Sequence, residues 1–179
     1  MRKLIETTFV TLNGSISNPQ HWSPPYWDDD HTGYSLKLME NVEAQLLGRV
    51  TYEGFAEAWS QRSGDPYTDK FNAMPKYVAS RTLTETKWNA TLLEGDAAEA
   101  VRKLKEEDGG DLIKYGTGSF SATLLEHKLV DEYHFWVFPV LADGEQLFAE
   151  SKVGINHLEL LDTTTFKSGI VVHKLAPKA

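Results

Sequence analysis

Short apolar runs that end on a glycine turn and lead directly into a helix-patterned segment set the strongest limit on how this chain can fold. Ala44 to Leu47 runs into Gly48-Arg49-Val50-Thr51, after which Tyr52, Phe55, Ala56 and Trp59 fall at i, i+3, i+4 and i+7, the spacing of one apolar helix face. Leu112 to Tyr115 runs into Gly116-Thr117-Gly118-Ser119 and a helix expected over Ser119 to His127, with Phe120 and Leu124 turned inward. Strands this short and apolar belong in a parallel sheet covered on both faces.

Further strands are predicted at Lys3 to Leu12, Lys76 to Ser80, Asn89 to Leu93 and the aromatic run Glu132 to Phe138. Leu158 to Phe166 and Gly169 to Leu175 read as a closing antiparallel hairpin around Lys167-Ser168. A helix is expected over Thr32 to Asn41, with Leu38 and Val42 on one face. Asp96 and Glu99 make a capping-box pattern, Glu99 and Lys103 a favourable pair, Ala97, Val101 and Leu104 an apolar side, and Gly109-Gly110 a stop. Ser17 to His31 and Gln61 to Met74 carry Pro, Gly, Asp and aromatic residues and read as ordered surface loops. The middle of the chain alternates strand and helix, and strands alone finish it. The expected fold is therefore α/β: one domain over residues 1–179, with a mostly parallel central sheet flanked by helices and an antiparallel C-terminal edge hairpin.

Charge and composition narrow the function classes. The 18 basic and 26 acidic residues leave a net charge of −8, which repels nucleic acid and anionic lipid. No cysteine is present, which excludes disulfides, thiolate nucleophiles and zinc-thiolate or iron–sulfur sites. No apolar run approaches the length of about 18 residues that reads as a membrane span. Glu6 and its neighbouring threonines interrupt what an export signal would need, so the expected location is the cytoplasm. His21 and His31 near Asp28 to Asp30 lack any HxH or HExxH spacing, so no metal is expected.

Three turns invite an anion, each at the end of an expected strand. Gly48-Arg49-Val50-Thr51 opens a helix, whose first N–H groups and dipole favour phosphate, and Arg49 adds a planar fork. Gly116-Thr117-Gly118-Ser119 builds a nest of N–H groups; it is neither a GxGxxG fingerprint nor a P-loop. Ser80-Arg81-Thr82 ends a third strand. In open α/β sheets ligands bind beyond the carboxyl ends of strands, although each turn by itself reads equally well as a tight connection. Trp22, Tyr26 and Trp27 around Pro24-Pro25 are either an aromatic wall for a flat heterocycle or loop packing. Asp28-Asp29-Asp30 is either a solvated helix start or a source of one substrate-contacting acid.

These segments resemble the dihydrofolate-reductase-like superfamily, closest to the branch containing the reductase domain of bacterial riboflavin biosynthesis, the RibD C-terminal domain. The resemblance covers most of the chain. It rests on Thr11-Leu12-Asn13-Gly14-Ser15-Ile16, on Gly48-Arg49-Val50-Thr51-Tyr52-Glu53, on Ser80-Arg81 and on Gly116-Thr117-Gly118-Ser119. The most specific part is Leu129-Val130-Asp131-Glu132 followed by Pro139-Val140 and by Gly144, Leu147 and Phe148.

The resemblance implies NADPH as cofactor and hydride transfer to a small heterocycle. It implies Arg49, Ser80 and Arg81 on the 2′-phosphate side, and Gly48, Val50, Thr51, Gly116, Thr117, Gly118 and Ser119 around the pyrophosphate. Val10 and Thr11 would approach the nicotinamide. Asn13, Trp22 and Trp27 would meet substrate, and Asp28 or Asp30 would assist protonation. Asn13 stands where the branch has Asp, and the acidic triplet does not align uniquely. The activity implied most closely is reduction of 5-amino-6-(5-phosphoribosylamino)uracil. Pterin or folate reduction, or nucleotide binding without catalysis, are the alternatives. A homodimer is expected, with the Glu132 to Phe138 strand in its packing.

Overall fold

The structure, a computed structural model, describes residues 1–152 and 154–178. Six parallel strands, β1 (Leu4–Thr11), β2 (Val42–Gly48), β3 (Lys76–Ala79), β4 (Ala90–Leu92), β5 (Asp111–Tyr115) and β6 (Glu132–Phe138), are completed by β7 (Leu158–Thr165) and β8 (Val171–Pro177). The sheet order is β4-β3-β2-β5-β1-β6-β8-β7, with β6-β8 and β8-β7 antiparallel. The expected α/β architecture, antiparallel edge included, is the one observed.

Strand alternation divides the core into two layers. Leu4 and Val10 of β1 pack with Leu112 against α5 (Ala97–Glu106) and α6 (Ser119–Glu126), through Val101, Leu104, Phe120 and Leu124. Ile5 and Phe9 point the other way. That face is covered by α2 (Asp29–Leu38), α3 (Arg49–Trp59) and α4 (Pro66–Ala73), after a short α1 (Pro19–Trp22). Phe71 of α4 is buried among Phe55, Trp59, Tyr67, Trp88 and Tyr115, with ring centroids 5.0–5.8 Å away.

Several expectations are corrected. Gln61 to Met74 is not a loop: Asp65 caps α4 through the Thr68 amide and Pro66 opens it, the Asp-Pro order that starts helices. The helix placed at Thr32 to Asn41 runs instead over Asp29–Leu38, started early by the Asp28 cap, and Val42 opens β2. Ser17 to His31 holds two helical turns, Pro19–Trp22 and Pro24–Tyr26, before α2 begins within it. Glu99 pairs with Arg102 rather than Lys103. Strand β6 lies between β1 and β8, almost wholly buried, so its role is in packing the sheet. The outermost strand on that side is β7, which leaves Leu158, Leu160 and Leu161 exposed.

Gly110 does more than stop α5. A Cβ there would sit 2.3 Å from the Asn41 carbonyl oxygen, the same oxygen that accepts the Asp111 amide at 2.7 Å. That contact sets the start of β5 against β2. Gly110→Ala is therefore expected to destabilise the fold by about 1–3 kcal/mol, as overpacking does, read as a lower urea midpoint with an unchanged slope.

Candidate functional site

Strand β5 is threaded between β2 and β1. The chain leaves β1 toward β2 on one face and leaves β5 toward β6 on the other. A crevice therefore opens where neighbouring connections part, beyond the carboxyl ends of the strands. Both glycine turns lie there. A Cβ on Gly116 would stand 3.1 Å from the Thr51 hydroxyl, and one on Gly48 would stand 3.8 Å from the Phe120 Cβ. Thus α3 and α6 begin side by side. Gly116 has φ +70°, a left-handed conformation that favours glycine.

Among the helices of eight residues or more, the capping pattern sets these two apart; the four-residue α1 is also uncapped. Asp28, Asp65 and Asp96 each accept a first-turn amide of α2, α4 and α5. By contrast, α3 starts at Gly48 and α6 at Gly118, and neither has a side-chain cap. Their first-turn N–H groups and positive dipole ends are left for another partner. The Thr117 hydroxyl is buried with no hydrogen-bond partner among the described residues. A Cβ on Gly118 would meet nothing within 4 Å. Two uncapped helix starts, an orphaned hydroxyl and open space together fit a polyanion such as a pyrophosphate.

The flanking arginines suit the same ligand. Arg49 donates to Glu53 one turn along α3 at 3.0 Å, and both side chains are about half exposed, a pair weak enough to be exchanged for a phosphate. Val50 is exposed beside it. Ser80 accepts the Thr82 and Leu83 amides, closing the turn after β3. Arg81, on that turn, is exposed and makes no ion pair among the described residues.

A charged pair lies beneath the turn. Glu6 and Lys114 are register partners on β1 and β5, both buried, with Lys114 Nζ 3.6 Å from Glu6 Oε1. Lys114 Nζ donates to the Gly116 carbonyl at 2.5 Å and to the Ser121 hydroxyl at 2.6 Å. Neither Glu6 oxygen has a hydrogen-bond partner among the described residues. Burial pushes the Glu6 carboxyl up, and Lys114 partly offsets it; burial pushes Lys114 down, and Glu6 partly offsets that.

The residues expected to meet nicotinamide or substrate are mostly occupied. The Val10 side chain is in the core. The Thr11 hydroxyl donates to Asn13 Oδ1 and accepts the Ser15 amide. Asn13 exchanges two hydrogen bonds with the Ala142 backbone. Trp22 packs edge-on against Phe138 and donates to the Ser17 carbonyl. Asp28 accepts the His31 and Ser168 amides, and Asp30 accepts the Lys167 amide. Together these two acids pin α2 to the hairpin tip.

His31, considered in the sequence only as a metal ligand and set aside for want of spacing, is largely enclosed. Its ring is stacked by the half-exposed Trp27 at 5.5 Å and touches Phe9 and Trp136 at 5.7 and 5.1 Å. Its Nε2 is buried without a partner among the described residues, and burial holds its pKa down despite Asp28. A second polar line, from Tyr34 Oη to His134 Nδ1 and from His134 Nε2 to Glu132, each at 2.7 Å, ends on Lys174. It borders a groove of about 570 Å³ between α2 and the hairpin strands. Among the described residues no group of three or more metal-ligating side chains is gathered.

Comparison with known proteins agrees with this geometry. The sequence model of the RibD C-terminal domain matches residues 2–172. An uncharacterized Bacillus subtilis (strain 168) protein, YyaP, is 32% identical, covering 95% of this chain and 92% of its own. A Shewanella sp. PV-4 protein assigned to riboflavin biosynthesis superposes with a TM-score of 0.77 at 21% identity, over 99% of each chain. A Thermotoga maritima diaminohydroxyphosphoribosylaminopyrimidine deaminase/5-amino-6-(5-phosphoribosylamino)uracil reductase superposes at 0.71 and 15% identity; this chain covers 57% of its length.

The Asp28 clamp has a pH signature. The His31 amide, with Ser168 at the far oxygen, holds its carboxyl below the ordinary value of 3.8, against a smaller opposing effect of burial. A carboxyl with a lowered folded pKa contributes its full stability above the unfolded pKa and loses it as pH falls through the folded one. Asp28→Ala should therefore be less stable than the parent at pH 7, and the gap should close on acidification below pH 3.8. Thermal melts of both proteins across that range check it.

Proposed function

The chain belongs to the RibD C-terminal domain family, and from that premise we propose that it is an NADPH-dependent oxidoreductase acting on a small nitrogen heterocycle. The observation that carries the reading is the meeting of two uncapped helix starts, α3 and α6, around a buried and unpartnered Thr117 hydroxyl.

Residues of this chain have distinct parts in the proposal. Backbone amides following Gly48 and Gly118 hold the pyrophosphate, and the Thr117 hydroxyl gains the partner it lacks. Arg49, released from Glu53, and Arg81 hold the 2′-phosphate, for which planar guanidinium groups are suited. The bound cofactor supplies the hydride. The half-exposed Trp27, stacked on His31 beside Phe9 of β1, offers a face on which a flat ring can stack. The clamp of Asp28 and Asp30 on the hairpin keeps α2, and hence His31, in place. Holding the two rings together and excluding water is the contribution the protein makes to such a transfer. The reductase named for the Thermotoga protein makes a pyrimidine ribosylamine the first substrate to test, with pterins and dihydrofolate next.

The cofactor choice is directly measurable. NADPH is expected to raise the melting temperature more than NADH at equal concentration; stabilisation reaches about 2.7 kcal/mol at one hundred times Kd. Arg81→Ala should weaken NADPH binding while leaving NADH nearly unchanged. Equal shifts for both cofactors would contradict the assignment of the arginines.

One observation favours a second reading, nucleotide binding without turnover: Asn13 and Asp28 are engaged at both polar atoms by backbone groups, and Asp30 at one oxygen. The two readings separate in a turnover assay. With NADPH bound, a pyrimidine ribosylamine, a pterin or dihydrofolate should bring loss of the reduced-nicotinamide absorbance. Tight cofactor binding with none consumed across that panel would favour the second reading.

A further inference from the structure

We propose that Lys114 is a positioning residue for the anion-binding turn: it ties the loop Gly116 to Ser121 from below and lends its charge to the phosphates held above. The inference rests on the dinucleotide reading of the same turn.

Core economy makes Lys114 conspicuous. Buried ion pairs are commonly matched or bettered in stability by apolar residues of similar volume. Most neighbouring positions on this face of the sheet are apolar, Leu4 and Val10 on β1 and Leu112 on β5, with the small Thr8 the exception. Lys114 is 2% exposed and Glu6 0%, so charge is retained here at a cost. What it achieves is local. Two of the ammonium's contacts are the first residue of the glycine turn and the first turn of α6, through the Gly116 carbonyl and the Ser121 hydroxyl. The loop whose outer amides are uncapped is therefore held at both ends by one cation.

The same geometry leaves that charge effective. Glu6 stands 3.6 Å off, beyond hydrogen-bond distance, so its compensation of Lys114 is chiefly coulombic, with the Ser121 hydroxyl also close to the carboxylate. The remaining neighbour of Glu6 across the sheet is Tyr133 of β6, a neutral phenol that burial and the Glu6 charge both keep protonated. In such a dry setting a charge behind the turn acts more strongly on an anion in front of it than it would through water. Lys114 makes no contact with that anion itself; it acts through the backbone it holds.

The test is calorimetric titration of NADPH, and separately of inorganic pyrophosphate, into folded wild type, Glu6→Gln and the double variant Glu6→Gln/Lys114→Met. Glu6 also helps Lys114 keep its proton, so the titrations are run at the acidic end of the range in which all variants stay folded; there, removing the acid alone should tighten both ligands, because the Lys114 charge is then unopposed. The double variant should bind at least about tenfold more weakly than Glu6→Gln, a loss of 1.4 kcal/mol. Glu6→Gln weakening binding as much as the double variant would mean that the pair only supports the core, and would overturn the proposal, as would one affinity for all three. If the double variant does not fold, Ser121→Ala replaces it: tighter binding for Glu6→Gln with weaker binding for Ser121→Ala is expected, and any other combination overturns the proposal. A wild type that binds neither ligand would overturn the dinucleotide reading along with it, whereas binding by wild type with unresponsive variants would overturn this inference alone.

Discussion

Everything at the candidate site depends on β5 being inserted between β1 and β2. The pairings Glu6 with Lys114 and Leu46 with Lys114 fix the height of β5 against both neighbours. With that register, Gly116 and Gly48 reach the carboxyl edge of the sheet together, and α6 and α3 start within a side chain of each other. A one-residue slip of β5 would turn Lys114 to the opposite face and bring Ile113 under α6. Gly110 guards against that slip, because its missing side chain lets β5 begin hard against the Asn41 carbonyl.

Stability is distributed unevenly around this arrangement. Away from the crevice, the longer helices α2, α4 and α5 are capped by aspartates, and the aromatic cluster around Phe71 is closely packed. At the crevice, two helix starts lack caps, a hydroxyl lacks a partner and a buried lysine, unlike Lys76 and Lys105 buried elsewhere, lies beneath a glycine turn. Local rules are broken where a ligand would repair them, as expected of functional sites. The uncapped amides and the buried cation are both features that a multiply charged phosphate ligand would use.

Much of this was legible in the sequence because it is local. The apolar runs ending on Gly48 and Gly116 gave the parallel sheet, and Asp96 with Glu99 marked α5 at the residue where it begins. Asp65-Pro66 carried the same kind of signal for α4 and was overshadowed by the polar residues around it. What was not legible is what pairing decides. Glu6 interrupts β1 and Lys114 interrupts β5, each odd for a buried strand, but only the strand order shows that they meet. The acids of Asp28 and Asp30 looked available for substrate because their partners, the Ser168 and Lys167 amides, lie about 140 residues away. His31 passed for a surface residue until Phe9 and Trp136 closed around it.

The central claim is that the two uncapped helix starts form one anion site. Amide hydrogen exchange with and without NADPH tests it most directly, because the amides that would hold the pyrophosphate are the observable. The account predicts slowed exchange over Arg49 to Thr51 and over Thr117 to Phe120 together, with α2, α4 and α5 first-turn amides unchanged. Protection of only one of the two turns, or protection confined to the groove between α2 and the hairpin, would contradict it.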